Sequence, residues 1–363
     1  KSGDFIVTKP DKTGGMVSFG TVAEQFLYEI GDPNAYILPD VVCDFSQVKI
    51  KEIGQDQVLV SGSKGLAPSS SYKVSTTYKD GFRVAATLVI GGKNALKKSK
   101  IVSKAILSKT NRILEEKGIK KIEKTSISIL GTDSIYGEKE RAVDSREVVL
   151  RIMAIHKIKE ALVIFSREIA QASTGMVSGV INFLGGRPSV SSSIKLYSFL
   201  LEKSFFEIKL DIDGEMTPVN IELDGSYKYN HLESNRIIYE EFETDFSVPL
   251  QQLAFARSGD KGNHANIGVI ARKPNYLPYI RNGLKPEIIA DYFSHLLNGE
   301  INIWDVPGIC GLNILLKDSL GGGGMSSLRI DPQGKAYAQQ LLEIPIPIKK
   351  EILDQEEKKW IGK

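Results

Sequence analysis

Cysteine is scarce: Cys43 and Cys310 are the only two, and they lie far apart in sequence. This argues against a disulfide framework and fits a reducing, cytoplasmic setting. The four histidines stand singly, and neither CxxC nor HExxH occurs, so the spacings that mark a metal centre are missing. Also missing are a Walker A sequence, a GxGxxG after a strand and a GxSxG elbow, which removes the common routes to nucleotide binding and to a serine nucleophile. No metal and no cofactor are expected. No apolar run reaches the ~18 residues of a membrane span, and no signal peptide is visible, so no membrane partner is expected. The charges nearly balance at a net +3, without the concentrated basic face of nucleic-acid binders. Lysines do cluster at Lys93–Lys104 and Lys117–Lys124, and the first run reads as the wet side of a helix.

What remains is an ordinary globular composition, 42% hydrophobic and 25% charged, over 363 residues, a length that suggests two or three domains. The chain opens on Lys1-Ser2-Gly3-Asp4 without an initiator Met and runs straight into the strand-like Phe5-Ile6-Val7-Thr8. A chain cut from something longer, or one half of a split protein, is expected. Val22, Phe26, Leu27 and Ile30 recur at helical spacing. Gly54-Gln55-Asp56 and Lys79-Asp80-Gly81 each predict a hairpin, the second because Asp-Gly suits a type I′ turn. A helix is expected from Asn94 to about Lys117, ended by Gly118, then a strand over 126–130. Asp144-Ser145-Arg146-Glu147 looks like a capping box, and Val148, Ile152, Ile155, Ile158, Leu162, Phe165 and Ile169 predict one long amphipathic helix with His156 on its outer surface.

Strands are expected at 180–184, 196–201 and 205–212, with Gly185-Gly186-Arg187 between the first two; Arg187 either holds a carboxylate or phosphate or anchors a surface turn. Residues 214–247 read as a polar linker, 248–348 as a second domain and 349–363 as a charged tail. In the second domain, strands over 253–256, 265–271, 312–316 and 327–330 alternate with helices starting at Pro286 and Asp331-Pro332. The order strand–strand–helix–strand–strand–helix predicts an α+β sandwich. The whole is therefore a mixed α+β and α/β chain.

Two segments carry candidate chemistry. In the first, Arg257 and Lys261 supply cations, Ser258 a hydroxyl, and Asn263 and Asn266 amides, while Gly259 and Gly262 allow backbone N–H groups close to a ligand. Asp260 either keeps the cations placed or acts as a general base beside Lys261. The alternative is a polar hairpin whose side chains bond their own backbone. In the second segment, Gly321, Gly322, Gly323 and Gly324 run into Ser326, Ser327 and Arg329. Four glycines are costly to order and suit a sharp turn or a close contact. The two segments are expected to converge on one anion. Thr13-Gly14-Gly15, ahead of a helix, is a further anion-binding candidate or simply a tight turn.

These segments, together with Phe5–Lys9, Gly20–Gln25, Leu27–Pro33, Pro39–Val41 and Asp331–Gly334, resemble the acyclic terpene utilisation AtuA family, and they spread over most of the chain. The resemblance implies a core domain, here its C-terminal part over 1–213 with the N-terminal part missing, and a ferredoxin-like domain over 248–348. In such a family the missing portion would be a partner, present as a separate or cleaved chain. His264 departs from the family loop and is not taken as a catalyst. The resemblance also implies cytoplasmic catabolism of branched acids as CoA thioesters. The expected ligand is then an anionic small molecule, a CoA ester or its acid, and the expected reaction a hydration, dehydration or hydrolysis by a homo-oligomer. The rival reading is a non-catalytic scaffold that binds a partner chain.

Overall fold

Gly54 and Asp56, the latter at φ 49°, turn the chain between the strands Lys49–Gly54 and Gln57–Ser61, as the sequence predicts. Phe5–Thr8 pairs on the other side of Gln57–Ser61 to complete a three-stranded sheet. The computed structural model describes residues 3–181, 185–221, 223, 225–228, 237, 239–240 and 243–354. It contains two units, one gathering residues 1–75, 198–320 and 333–363, the other residues 76–197 and 321–332. Among the described residues no helix is long and apolar enough to cross a membrane.

In the first unit the strands Ala254–Lys261, His264–Ala271, Ile301–Val306 and Gly311–Leu316 form an antiparallel sheet, with Gly311–Leu316 between His264–Ala271 and Ile301–Val306. The ferredoxin-like sandwich is therefore present, but its third strand is Ile301–Val306. Residues 327–330, expected as a strand, form none, because they belong to the other unit and pair with no strand of this sheet. One face of the sheet, through Ala265, Ile267, Val269 and Ile314, buries Ile280, Ile289, Phe293 and Tyr337 from the helices and their flanks. Full burial of such side chains contributes about 1.5–3 kcal/mol each. Ile270 points the opposite way and packs with Phe19, Val22, Ala23 and Leu27. Those residues come from the helix Phe19–Phe26, capped by Ser18 and Thr21 in a reciprocal box, and from its end. Residues 19–31 thus cover the second face of the sheet. Further on, Lys209–Ile212 and Glu215–Pro218 make a hairpin about Asp213 and Gly214, both at positive φ. The expected strand over 205–212 is accordingly shorter than its apolar run, which opens with a 3-10 turn at Lys203–Phe205.

The second unit is built on a sheet in which Glu147–His156 lies between Ser71–Gly91 and Lys124–Leu130; Val180–Ile181 and Val190–Glu202 also pair with Ser71–Gly91. The helices Ala95–Glu116 and Lys159–Gly175 cover one face, where Val84, Ala86, Leu88, Leu150, Ile152, Val102, Ile106 and Phe165 form a core. Gly118, at φ 67°, closes the first helix with Ile119 N–H donating to the Leu114 carbonyl at 2.8 Å.

Two expectations fail here for a physical reason. Residues 148–158 are not helical: Val148, Leu150, Ile152 and Ala154 also alternate, and pairing on both edges selects the strand. His156 is therefore not on a helix surface. It is buried, with Nε2 3.0 Å from the Lys120 carbonyl and Nδ1 accepting from the Ile158 N–H. The supposed capping box of Asp144 and Glu147 is also undone, since Glu147 opens this strand and no helix starts there. Likewise, Lys79-Asp80-Gly81 is no hairpin, because Ser71–Gly91 runs through it as one strand. Gly81 is needed because a Cβ there would lie 2.7 Å from the His156 carbonyl oxygen, and Asp80 is spent on Lys157 and Lys195. Of the strand expected at 180–184, Val180–Ile181 forms and the rest lies outside the described residues.

Candidate anion-binding site

In the first unit, the 257–266 segment is strand almost throughout; only Gly262, at φ 68°, and Asn263 make the turn. A period of two therefore sends alternate residues to opposite faces. Arg257, Gly259 and Lys261 share the face covered by the N-terminal segment. The Arg257 guanidinium lies 4.5 Å from the Tyr28 ring centre and the Lys261 ammonium 4.9 Å from that of Tyr36. Burial holds the Lys261 amine below its ordinary pKa, against the pull of Glu29 and Asp260. Gly259 meets protein: a Cβ there would sit 2.7 Å from the Tyr28 ring and 2.9 Å from Glu29 Cγ. Asn266, fully buried, accepts from the Glu29 N–H at 2.8 Å and donates to Asn313, whose own amide donates to the Gly31 carbonyl at 2.6 Å.

The remaining groups of this segment are also engaged. Ser258 is buried, donating to the Lys335 carbonyl and accepting from the Ala338 N–H at 2.9 Å. Asp260 accepts from Lys335 at 3.2 Å and from Gln333 at 3.3 Å. Lys335 also reaches the Tyr28 hydroxyl and Glu29; burial lowers its pKa, but these hydrogen bonds more than offset that and hold it well above the ordinary lysine value. Asn263 donates to Asp318 at 2.9 Å, and His264 Nδ1 accepts from the Asp318 N–H. Lys335 and Tyr28 were not singled out from the sequence; nothing in their local spacing marks them.

Thr13 closes its own turn on the Pro10 carbonyl at 2.6 Å. Gly15 takes φ 89°, and a Cβ on Gly14 or Gly15 would meet nothing within 4 Å.

The second unit holds the other candidate segment. Gly321, Gly322 and Gly323 all have positive φ, and at Gly322 a Cβ would come within 2.9 Å of the Ser326 hydroxyl. Gly323–Ser326 forms one helical turn, Ser326 donates to the Gly322 carbonyl at 2.6 Å, and Ser327 Oγ accepts from the Arg329 N–H. The Arg329 side chain lies beside Gly321, its Nε 3.1 Å from where a Cβ would stand. Gly324 is exposed within the turn.

Two arginines that sequence reasoning missed bind this loop from the sheet. Arg83 donates to the Met325 carbonyl at 2.9 Å and Arg151 to the Leu328 carbonyl at 3.0 Å. Both are partly buried, and among the described residues neither pairs with a carboxylate. Burial, and then the like charge of Arg83, lower the Arg151 pKa. A guanidinium has five N–H donors, so one carbonyl leaves most of its capacity unused. The ladder places Arg151 opposite Thr87, and Arg83, Ala85 and Thr87 alternate onto one strand face. Ala85 and Thr87 also line a cavity of about 460 Å³ with Gly185, Gly186 and Arg187. Two uncompensated cations, a loop of left-handed glycines and an adjoining cavity are the parts of an anion site. The sequence signal was one arginine in each of two alternating strands, and it gains meaning only once the strands are paired.

The two segments expected to converge thus fall in different units, the first with Tyr28 and Lys335, the second with Arg83 and Arg151.

Comparison with known families gives two matches: the acyclic terpene utilisation family protein AtuA over residues 1–212, and the AtuA ferredoxin-like domain over residues 248–347. No curated protein and no solved structure matches the chain.

Proposed function

We propose that this chain, which belongs to the acyclic terpene utilisation family AtuA, binds the anionic group of a branched acyl-CoA or its free acid in the course of that utilisation. The binding groups are Arg83, Arg151 and Arg329 with the Gly321–Gly324 and Ser326 loop. One observation supports this most: Arg151 and Arg83 sit partly buried on one sheet without a carboxylate between them. Like charges held together out of water are unfavourable, and a bound anion relieves both the repulsion and the lost solvation. The cavity beside Ala85 and Thr87 offers room for the rest of the ligand. Separately, in the other unit, Asp260 and Lys261 form a pair suited to moving a proton, since burial favours the neutral amine of Lys261. The setting is cytoplasmic, in keeping with the two free thiols Cys43 and Cys310.

A scaffold role is the second reading, and one observation favours it for the hairpin. Ser258, Asp260, Asn263 and Asn266 already hydrogen-bond within their own unit, while Arg257 and Lys261 lie over its rings.

Calorimetry with CoA, an acyl-CoA and phosphate tests both. With wild type, heat is expected, and Arg151→Met weakens binding about 10-fold or more, the scale of a charge-assisted hydrogen bond. Arg257→Ala reports whether the hairpin contributes. If none of the three ligands gives heat, anion binding fails and the scaffold stands.

A further inference from the structure

Among the described residues the hairpin Lys209–Ile212 and Glu215–Pro218 is a sheet of two strands, and all eight of its residues are exposed. A two-stranded sheet is marginal alone in water, and free edges invite pairing. Its residues alternate: Leu210 and Ile212 point to one face, with Ile208 two residues before them, while Lys209 and Asp211 point to the other. Close by in sequence, Phe199, Leu200 and Phe205 are also exposed, and Met216 lies on the second strand. Phe199, Leu200, Phe205, Leu210, Ile212 and Met216 are each between 38% and 73% exposed. Leu210 and Ile212 share one face, whereas Met216, paired with Asp211, lies on the other.

We infer that this hairpin edge is a two-fold interface, in which Lys209–Ile212 pairs antiparallel with the same strand of a second copy of this chain, centred on Leu210. The sequence of the strand is self-complementary in that register. Leu210 faces its own symmetry mate, Lys209 faces Asp211 of the second copy, and Asp211 faces Lys209. Opposite charges directly across a ladder are favourable, whereas a shift of one residue would bring Lys209 opposite Leu210 or Ile212 of the second copy. Among the described residues these groups have local partners: Lys209 pairs with Glu207 at 3.0 Å, and Asp211 accepts from the Gly214 N–H. The pairing joins two hairpins into four strands, with Ile208, Leu210 and Ile212 of both copies making one apolar face. Such a contact is isologous and closes at two copies. The inference is independent of the anion site.

Light scattering during gel filtration, at tens of micromolar protein, tests it. Wild type is expected at twice the chain mass, and Leu210→Lys with Ile212→Lys at the chain mass, with far-UV circular dichroism and melting unchanged. Lys209→Asp and Asp211→Lys each give monomer, and the combination of the two restores the dimer. In a chain lacking Cys43 and Cys310, Leu210→Cys oxidises to a disulfide dimer, and Glu215→Cys on the other strand does not. A monomeric wild type, a dimer that survives Leu210→Lys with Ile212→Lys, or a charge exchange that fails to restore the dimer overturns the inference.

Discussion

The ring of Tyr28 occupies the space that any side chain on Gly259 would need, with 2.7 Å between the ring and the site of a Cβ. Gly259 was a candidate for close approach of a ligand; within this unit its small size is required by Tyr28 and Glu29. Gly259→Ala is therefore expected to destabilise the fold by about 1–3 kcal/mol through overpacking. Urea unfolding measures it, and a loss below a few tenths would mean that Tyr28 does not rest there.

Asn266 is the buried tie between the sheet and the N-terminal segment, through the Glu29 N–H on one side and Asn313 on the other. Asn266→Leu strands the Glu29 N–H and the side-chain oxygen of Asn313. At about 1–3 kcal/mol per unsatisfied buried group, a loss of about 2–6 kcal/mol is expected. Asn266→Leu combined with Asn313→Leu costs less than the sum of the two single changes, because the groups share one network. Strict additivity in denaturant unfolding would refute that coupling.

Asp80 accepts from Lys157 and Lys195, which hold its carboxyl down to about 2. A depressed folded-state pKa means that the unfolded chain binds the proton first as pH falls. The stabilisation is thus complete above the ordinary value of about 4 and is lost as pH falls through about 2. Asp80→Asn is expected to flatten the acid limb of a stability-against-pH curve and to leave its alkaline limb alone. An unchanged acid limb counts against the pairing.

Lys261 and Lys335 titrate with opposite consequences. The Lys335 pKa is raised, so its stabilisation is full below the unfolded lysine value of about 10.4 and lost only as pH climbs through the higher folded value. The Lys261 pKa is lowered, so the unfolded chain holds the extra proton and stability rises with pH up to about 10.4. Lys261→Met should remove that rise, and Lys335→Met the fall beyond it. Melting temperatures measured between pH 7 and roughly 11 separate the two; slopes of the same sign in both variants would contradict the assignment.

Much of the local structure could be read directly. The Gly54–Asp56 hairpin, the helix over 95–116 and its Gly118 stop follow from turn chemistry and a clear helical period that no competing period imitates. Misreadings arose where two periods fit the same residues or where a turn signal met a stronger constraint. Val148, Leu150 and Ile152 satisfy a helix and a strand alike, and pairing on both edges decides. Asp80-Gly81 has ideal turn residues, yet lies inside a strand that a neighbouring backbone presses from one side.

The candidate site divides in the same way. The sequence by itself determined the family, the ferredoxin-like order of the C-terminal domain and the glycine loop at 321–324, because these depend on residues close in the chain. Only the tertiary structure decided that Ser258, Asp260 and Asn266 spend their hydrogen bonds within their own unit, and that Arg83 and Arg151 reach the loop. Arg151 and Leu328 are 177 positions apart, and Tyr28 and Lys335 are 307. A side chain's chemistry is set by the groups it faces and the water it loses, and at such separations the fold alone chooses both.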